Sequence, residues 1–173
     1  MRAVANSTPL IHLARTRALR LLGAVYEEVV IPRAVYEEVV VRGLERGFSD
    51  VEAVKSAVES GLVRVAEAPG GEADVIARSA PLIHRGEAEV FALALLMRPC
   101  HVLVDDRAAR LVARSLGLEV HGTLYVLVAA ARRGAVAPEE ALLILDRLVL
   151  RGFRVSAGLY ARIREELAKT GRG

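Results

Sequence analysis

The chain has 173 residues, 53% of them hydrophobic and 26% charged, with a formal net charge of +3. That length fits one domain of roughly 100–200 residues, and the abundant aliphatics exclude intrinsic disorder. The small net charge does not by itself mark a nucleic-acid binder.

Arg2 to Ala5 reads as a short strand. Thr8 and Pro9 then suit the N-cap and first position of a helix. Its apolar residues Leu10, Leu13, Ala14, Ala18, Leu21 and Leu22 keep helical spacing, and Gly23 is the expected stop. The hexapeptide Val-Tyr-Glu-Glu-Val-Val occurs twice, at 25–30 and 35–40. Identical strings are separated only by their flanks. The first copy runs into Ile31-Pro32, and the residue before a proline is pushed towards extended geometry, so Val29–Ile31 reads as a buried strand. The second copy follows Pro32, which suits a first helical turn.

Ser49-Asp50-Val51-Glu52 matches a capping box opening a helix to about Ser60. Gly61 ends it, Leu62–Val65 reads as a strand, and residues 67–71 read as a Pro/Gly loop. Glu87 to Met97 is a helix, apolar on every face beyond its first turn and so expected to be buried. Within it, Val90–Met97 is an uninterrupted apolar run of eight residues, a length no other run exceeds, against about 20 for a membrane span. Pro99 breaks the pattern, and His101–Val104 reads as a strand ending in Asp105-Asp106. A helix to Ser115, a strand over Leu118–His121 and a helix from Gly122-Thr123 to Arg133 follow. Pro138 opens the next helix and Ser156 caps a terminal one. Strands alternating with helices imply an α/β class, with a central mostly parallel sheet flanked by helices. With no linker or low-complexity run, one domain is expected, its core over about 1–135 and a helical extension over about 138–169.

One cysteine, Cys100, excludes an intrachain disulfide framework and a Cys-based zinc site. Arg2–Ala5 passes straight into Asn6-Ser7-Thr8-Pro9 without a secretory signal, so a cytoplasmic domain is expected. There is no Gln, Asn6 is the sole Asn, and Arg outnumbers Lys 22 to 2. Loss of thermolabile amides and sulfur residues points to a thermophile, with genomic base bias as the other explanation of the arginines. Residues 26–89 carry seven bases and thirteen acids, while 1–25 carry four bases and no acid, and 147–173 carry seven bases and two acids. Basic ends and an acidic middle allow a basic rim beside an acidic site, although a mixed solvated surface has the same composition.

In open α/β sheets ligands gather at the carboxyl ends of strands. Asn6 ends the first strand and Asp105-Asp106 end the His101–Val104 strand. Glu37 and Glu38 follow the second strand, and Glu87 and Glu89 lie in the first turn of the buried helix. Each has a structural alternative: helix caps for Asn6 and either aspartate, a helix-dipole role for Glu87 and Glu89, solvated surface for Glu37 and Glu38. Converging carboxylates cannot all stay ionised unpaired, and a divalent cation resolves the repulsion. Oxygen-only ligation favours Mg²⁺ or Mn²⁺, which polarises a phosphodiester and activates water. No Gly-rich phosphate loop, nucleophile elbow or paired-His zinc motif competes.

These residues resemble the motifs of PIN-domain proteins, specifically a VapC-like group of predicted nucleic-acid-binding proteins of the DUF3368 type. Asn6-Ser7-Thr8-Pro9-Leu10-Ile11-His12-Leu13-Ala14 is similar to the group's opening motif. Ile31-Pro32 with Val35-Tyr36-Glu37-Glu38-Val39 resembles the second, and Gly86-Glu87-Ala88-Glu89-Val90-Phe91-Ala92-Leu93-Ala94 the third. Val102–Arg110 with Gly117-Leu118 and Gly122-Thr123-Leu124 resembles the fourth, and Gly152–Ser156 with Leu159-Tyr160 the C-terminal signature.

The resemblance implies a Mg²⁺- or Mn²⁺-dependent ribonuclease acting on RNA. Such proteins are often the toxin of a toxin–antitoxin pair, with a small antitoxin protein as partner, and often homodimers. It places metal-ligand and catalytic roles on Asn6, Glu38, Glu87 and Asp106, with Glu89, Asp105 and Thr123 in support. Arg107 and Arg110, at the start of the helix after Asp106, are candidates for the RNA backbone or for pairing with nearby acids. The chain departs from the pattern at Asn6, where PIN nucleases generally carry Asp. An amide oxygen can coordinate Mg²⁺ but brings no charge, so the alternative is a catalytically weak or inactive PIN-fold module that binds RNA or protein.

Overall fold

A computed structural model of the chain describes all residues except 46, 48, 49 and 171–173. Among the described residues five strands form one sheet in the order β3-β2-β1-β4-β5, with β1 at Arg2–Ala5, β2 at Glu28–Pro32, β3 at Arg64–Ala66, β4 at Cys100–Leu103 and β5 at Glu119–His121. Every pairing is parallel, so the sheet is wholly rather than mostly parallel. The register sets Val4 between Val30 and Val102. Successive residues of β1, β2 and β4 are buried, including Ala3, Val4, Ala5, Val29, Val30, Ile31, Val102 and Leu103. Neighbouring strand residues point to opposite faces, so helices must cover both.

The helices are α1 (Ser7–Arg15), α2 (Leu21–Val25), α3 (Arg33–Tyr36), α4 (Arg42–Glu45), α5 (Val51–Glu59), α6 (Gly70–Ser79), α7 (Arg85–Leu96), α8 (Arg107–Ser115), α9 (Thr123–Arg132), α10 (Pro138–Leu150) and α11 (Ala157–Lys169). A π-helical turn at Glu37–Val41 joins α3 to α4. Helix α7 lies across β1, β2 and β4; its Val90, Phe91 and Ala94 are wholly inaccessible, as an all-round apolar pattern requires. The last two helices pack on α9, and α10 also reaches α1, carrying Ile144, Leu145, Leu148 and Leu167 into the same core. Among the described residues no helix is long and apolar enough to cross a membrane.

The two hexapeptides do divide by their flanks. Val25 closes α2, Glu28–Val30 are extended in β2, and the second copy is helical from Val35 onward. Three expectations need correction. The first helix begins at Ser7, not after Thr8, with Asn6 as its N-cap. It also stops at Arg15 rather than at Gly23. Thr16 Oγ1 donates back to the carbonyls of His12 and Leu13, and Arg17 takes a φ of 58°. There Arg17 N donates to Ala14 O and Ala18 N to Leu13 O. This is a Schellman termination with arginine where glycine is usual. Third, α6 begins at Gly70, inside the stretch read as a loop. Of the expected capping box, Ser49 lies outside the described residues, and Asp50 pairs with Arg15 at 3.3 Å rather than capping α5.

Candidate functional site

Strand order reverses its direction of progress between β1 and β4, the first leading outward to β2 and β3 and the other to β5. At such a switch point the connections leave in opposite directions, opening a crevice beyond the carboxyl ends. Asn6 stands at this point on β1, its N–H bonded to Leu103 O of β4 at 3.0 Å. It is 5% exposed.

Asn6 Oδ1 accepts from Ser7 N at 2.8 Å, which identifies it as the oxygen, because a backbone N–H can only donate. Asn6 Nδ2 donates to Glu87 Oε1 at 3.3 Å. Ser7 Oγ lies 2.7 Å from Glu38 Oε2 and 3.2 Å from Asn6 Oδ1. A hydroxyl has one proton, and the shorter, charge-assisted contact to the carboxylate takes it. Asn6 Oδ1 therefore keeps a lone pair. The other Glu87 oxygen, Oε2, accepts from His84 N at 3.0 Å in a capping box that opens α7. Glu87, Asn6, Ser7 and Glu38, from three parts of the chain, are thus linked from buried to exposed, the Asn6–Ser7 link running through the Ser7 backbone N–H.

Glu38 belongs to the π-helical turn, and both it and Glu37 are exposed. A cavity of about 700 Å³ opens over them, lined by Glu37, Glu38 and Glu89 together with Arg42, Arg85 and His84. Glu37 pairs with Arg33 at 3.6 Å and Glu89 with Arg85 at 3.5 Å. Two of the three lining carboxylates therefore already have a cationic neighbour, while Glu38 is held by Ser7.

The aspartates after β4 have separate duties. Asp105 Oδ1 accepts from Thr123 N at 2.8 Å and Oδ2 from Thr123 Oγ1 at 2.7 Å, so both oxygens fasten the start of α9 to the end of β4. Gly122 is required there, since a Cβ would meet Asp105 Oδ1 at 2.6 Å and Val104 O at 3.3 Å. Asp106 is the N-cap of α8, its Oδ1 accepting from Ala109 N at 2.9 Å, and is exposed. The structure does not join these aspartates by hydrogen bonds to the Asn6 network; they flank it on the neighbouring strand.

Arg110 is committed to the fold: Nη1 donates to Val104 O at 2.9 Å, and burial presses its pKa downward, with Arg114 adding and Asp105 opposing. Arg107 remains exposed and lines a second cavity of about 480 Å³ with Thr8, His12, Asp105, Asp106, Phe153 and Arg154. Sequence reasoning missed Ser7, whose only signal is adjacency to Asn6, and His84, which precedes the acidic turn. It also missed a meeting of His101, Glu119 and His121, whose ligand-type atoms all lie within 4.8 Å of one another. Glu119 and His121 alternate on one strand face, and that spacing was the available signal.

All the candidate donors of the acidic site are oxygens, and Asn6 Oδ1, Glu38 and Glu87 retain lone pairs. That donor set fits a hard divalent cation and not zinc or copper. A family model described as a PIN domain (DUF3368) matches residues 2–169. No curated protein and no solved structure matches the chain.

Proposed function

Since the chain belongs to the PIN-domain family across nearly its whole length, and so carries a nuclease-like fold, we propose that it is a metal-dependent endoribonuclease. The observation that carries this reading is the linkage of Glu87, Asn6, Ser7 and Glu38 by hydrogen bonds, through the Ser7 backbone N–H, at the switch point of a parallel sheet. Asn6, Glu38, Glu87 and Asp106 are the residues that would hold Mg²⁺ or Mn²⁺. The chemistry such an ion supplies when bound is polarisation of the phosphodiester and activation of water.

The chain's own residues do the positioning. Ser7 orients Glu38, His84 N–H fixes one oxygen of Glu87, and the Asp105–Thr123 pair holds the loop that presents Asp106. Glu89 adds negative charge to the cavity wall. Arg107 and Arg154, beside the second cavity, suit the phosphates of an RNA strand. In this reading the protein is a VapC-like toxin, a homodimer working in the cytoplasm, with a small antitoxin as its partner.

The test is RNA cleavage by the purified chain with Mn²⁺ or Mg²⁺, abolished by EDTA and by Asp106→Ala. Loss of the α8 cap should cost only about 1 kcal/mol, so that variant stays folded. Asp105→Asn separates structure from chemistry: it should lower stability while cleavage per folded molecule persists. Cleavage that survives both EDTA and Asp106→Ala defeats the proposal.

One observation favours a second reading, an RNA- or protein-binding module with little turnover. Asn6 is neutral, caps α1 and turns its amide N–H towards Glu87, so the fold supplies a counter-donor where a cation would otherwise be needed. Binding without turnover, in a chain with weak Mn²⁺ affinity, distinguishes it.

A further inference from the structure

The face of the sheet at β4 and β5 carries a second cluster that the nuclease reading does not use. His101 and Glu119 are paired in register, and His121 follows two residues along β5, so all three project to one face. Glu119 Oε1 lies 3.3 Å from His101 Nε2 and 3.1 Å from His121 Nε2. With metal–ligand distances near 2.0–2.1 Å, the edge of a tetrahedral zinc site is about 3.3 Å, so both separations already match it. The imidazoles lie with centroids 4.2 Å apart, and Tyr125 covers His121 at 3.7 Å.

The surroundings are those of a ligated histidine. Tyr26, itself buried, sets its hydroxyl 3.2 Å from His101 Nδ1. That hydroxyl can accept from Nδ1–H, which leaves the Nε2 lone pair directed towards Glu119; such outer partners commonly fix the tautomer of a metal-bound imidazole. A cleft of about 220 Å³ borders His101 and Glu119 and offers an entry path.

We infer that His101, Glu119 and His121 form a binding site for a divalent transition-metal ion, Zn²⁺ foremost, separate from the acidic cluster. Two imidazoles and a carboxylate select zinc-like ions over Mg²⁺. None of the three residues lines either cavity of the proposed nuclease site. The ion would act as a clasp, fastening the three-residue edge strand β5 to β4.

The full chain, stripped with chelator, is titrated with Zn²⁺ against a chromophoric competitor, with thermal unfolding measured in parallel. Wild type should bind one Zn²⁺ at this site and melt higher with it. Glu119→Gln and His121→Ala, both at solvent-accessible positions, should each weaken binding by more than about 100-fold, since outer-shell partners alone are worth 10–100-fold. Both should also lose the visible bands of tetrahedral Co²⁺. Glu38→Gln/Asp106→Asn should keep the wild-type Zn²⁺ affinity. No Zn²⁺ bound by folded wild type, wild-type affinity retained in either ligand variant, or loss of Zn²⁺ in the acidic double variant each overturns the site.

Discussion

Ser7 Oγ donates to Glu38 Oε2 at 2.7 Å, tying the end of β1 to a π-helical turn 31 residues further along the chain. This is the contact that turns two separate sequence motifs into one site. A π turn widens the helix by one residue, and such turns recur where a side chain must be re-aimed. Glu38 is exposed and would otherwise sample several rotamers; the serine fixes one of them beside Asn6.

Ser7→Ala should therefore cost more activity than stability. Removing one such hydrogen bond lowers stability by about 1 kcal/mol. Displacing a catalytic carboxylate by an ångström can cost up to about 100-fold in rate. RNA cleavage under saturating Mn²⁺, with urea unfolding of the same sample, separates the two. An unchanged kcat would mean that the orientation of Glu38 does not matter.

Asn6→Asp tests the unusual ligand directly. The substituted carboxylate keeps the oxygen that accepts from Ser7 N but replaces the donor to Glu87 with a second negative oxygen. Without metal, repulsion between this new carboxylate and Glu87 should lower the unfolding free energy by about 1 kcal/mol. Mn²⁺ should restore it, bind more tightly than to wild type and raise cleavage. Isothermal titration and unfolding with and without Mn²⁺ give both signs. Equal Mn²⁺ affinity in the two proteins shows that the amide does not weaken the site.

The sheet was legible because β-branched runs sit between clear turn signals, and because Ile31-Pro32 forces the first hexapeptide to extend. The acidic motifs were legible as strand-end residues, but their connections were not. Whether Ser7 or a second carboxylate partners Glu38 depends on a π turn that periodicity cannot reveal. Helix ends divided in the same way. Gly117, Gly134 and Gly152 mark the ends of α8, α9 and α10 with positive φ, as glycine at that position leads one to expect. Helix α1 ends by the same hydrogen-bond pattern with Arg17 in that place, and no residue-type signal announces it.

That mismatch supports a stability prediction. A non-glycine residue in the left-handed region costs about 1–2 kcal/mol, and Arg17 is exposed. Glycine relieves the strain but adds unfolded-chain entropy of about 0.4–1 kcal/mol. Arg17→Gly should thus raise the unfolding free energy by about 0.5–1 kcal/mol, with RNA cleavage unaltered. A denaturant midpoint below that of wild type would show that the arginine side chain contributes contacts that outweigh the strain.

Histidine burial makes the stability of the fold depend on pH just below neutrality. Among the described residues His12 Nδ1 is buried without a hydrogen-bond partner, and the ring meets Phe153 edge-on at 5.0 Å. Burial lowers its pKa from the ordinary 6.5, Asp105 pulls it back up and Arg15 lowers it further. His101 is lowered too, again chiefly by burial. In the unfolded chain each histidine takes a proton near 6.5, whereas in the folded protein each resists until a lower pH. Unfolding therefore takes up protons, so the stabilising contribution is complete above about 6.5 and is lost as pH falls through the lower folded values. Between about pH 7.5 and 5.5, above the range where ordinary carboxylates titrate, the urea midpoint should fall. His12→Leu should flatten that fall, and the experiment is run with chelator present so that metal at His101 does not contribute. Parallel pH curves for wild type and His12→Leu would mean that His12 is protonated as readily in the folded protein as in the unfolded chain.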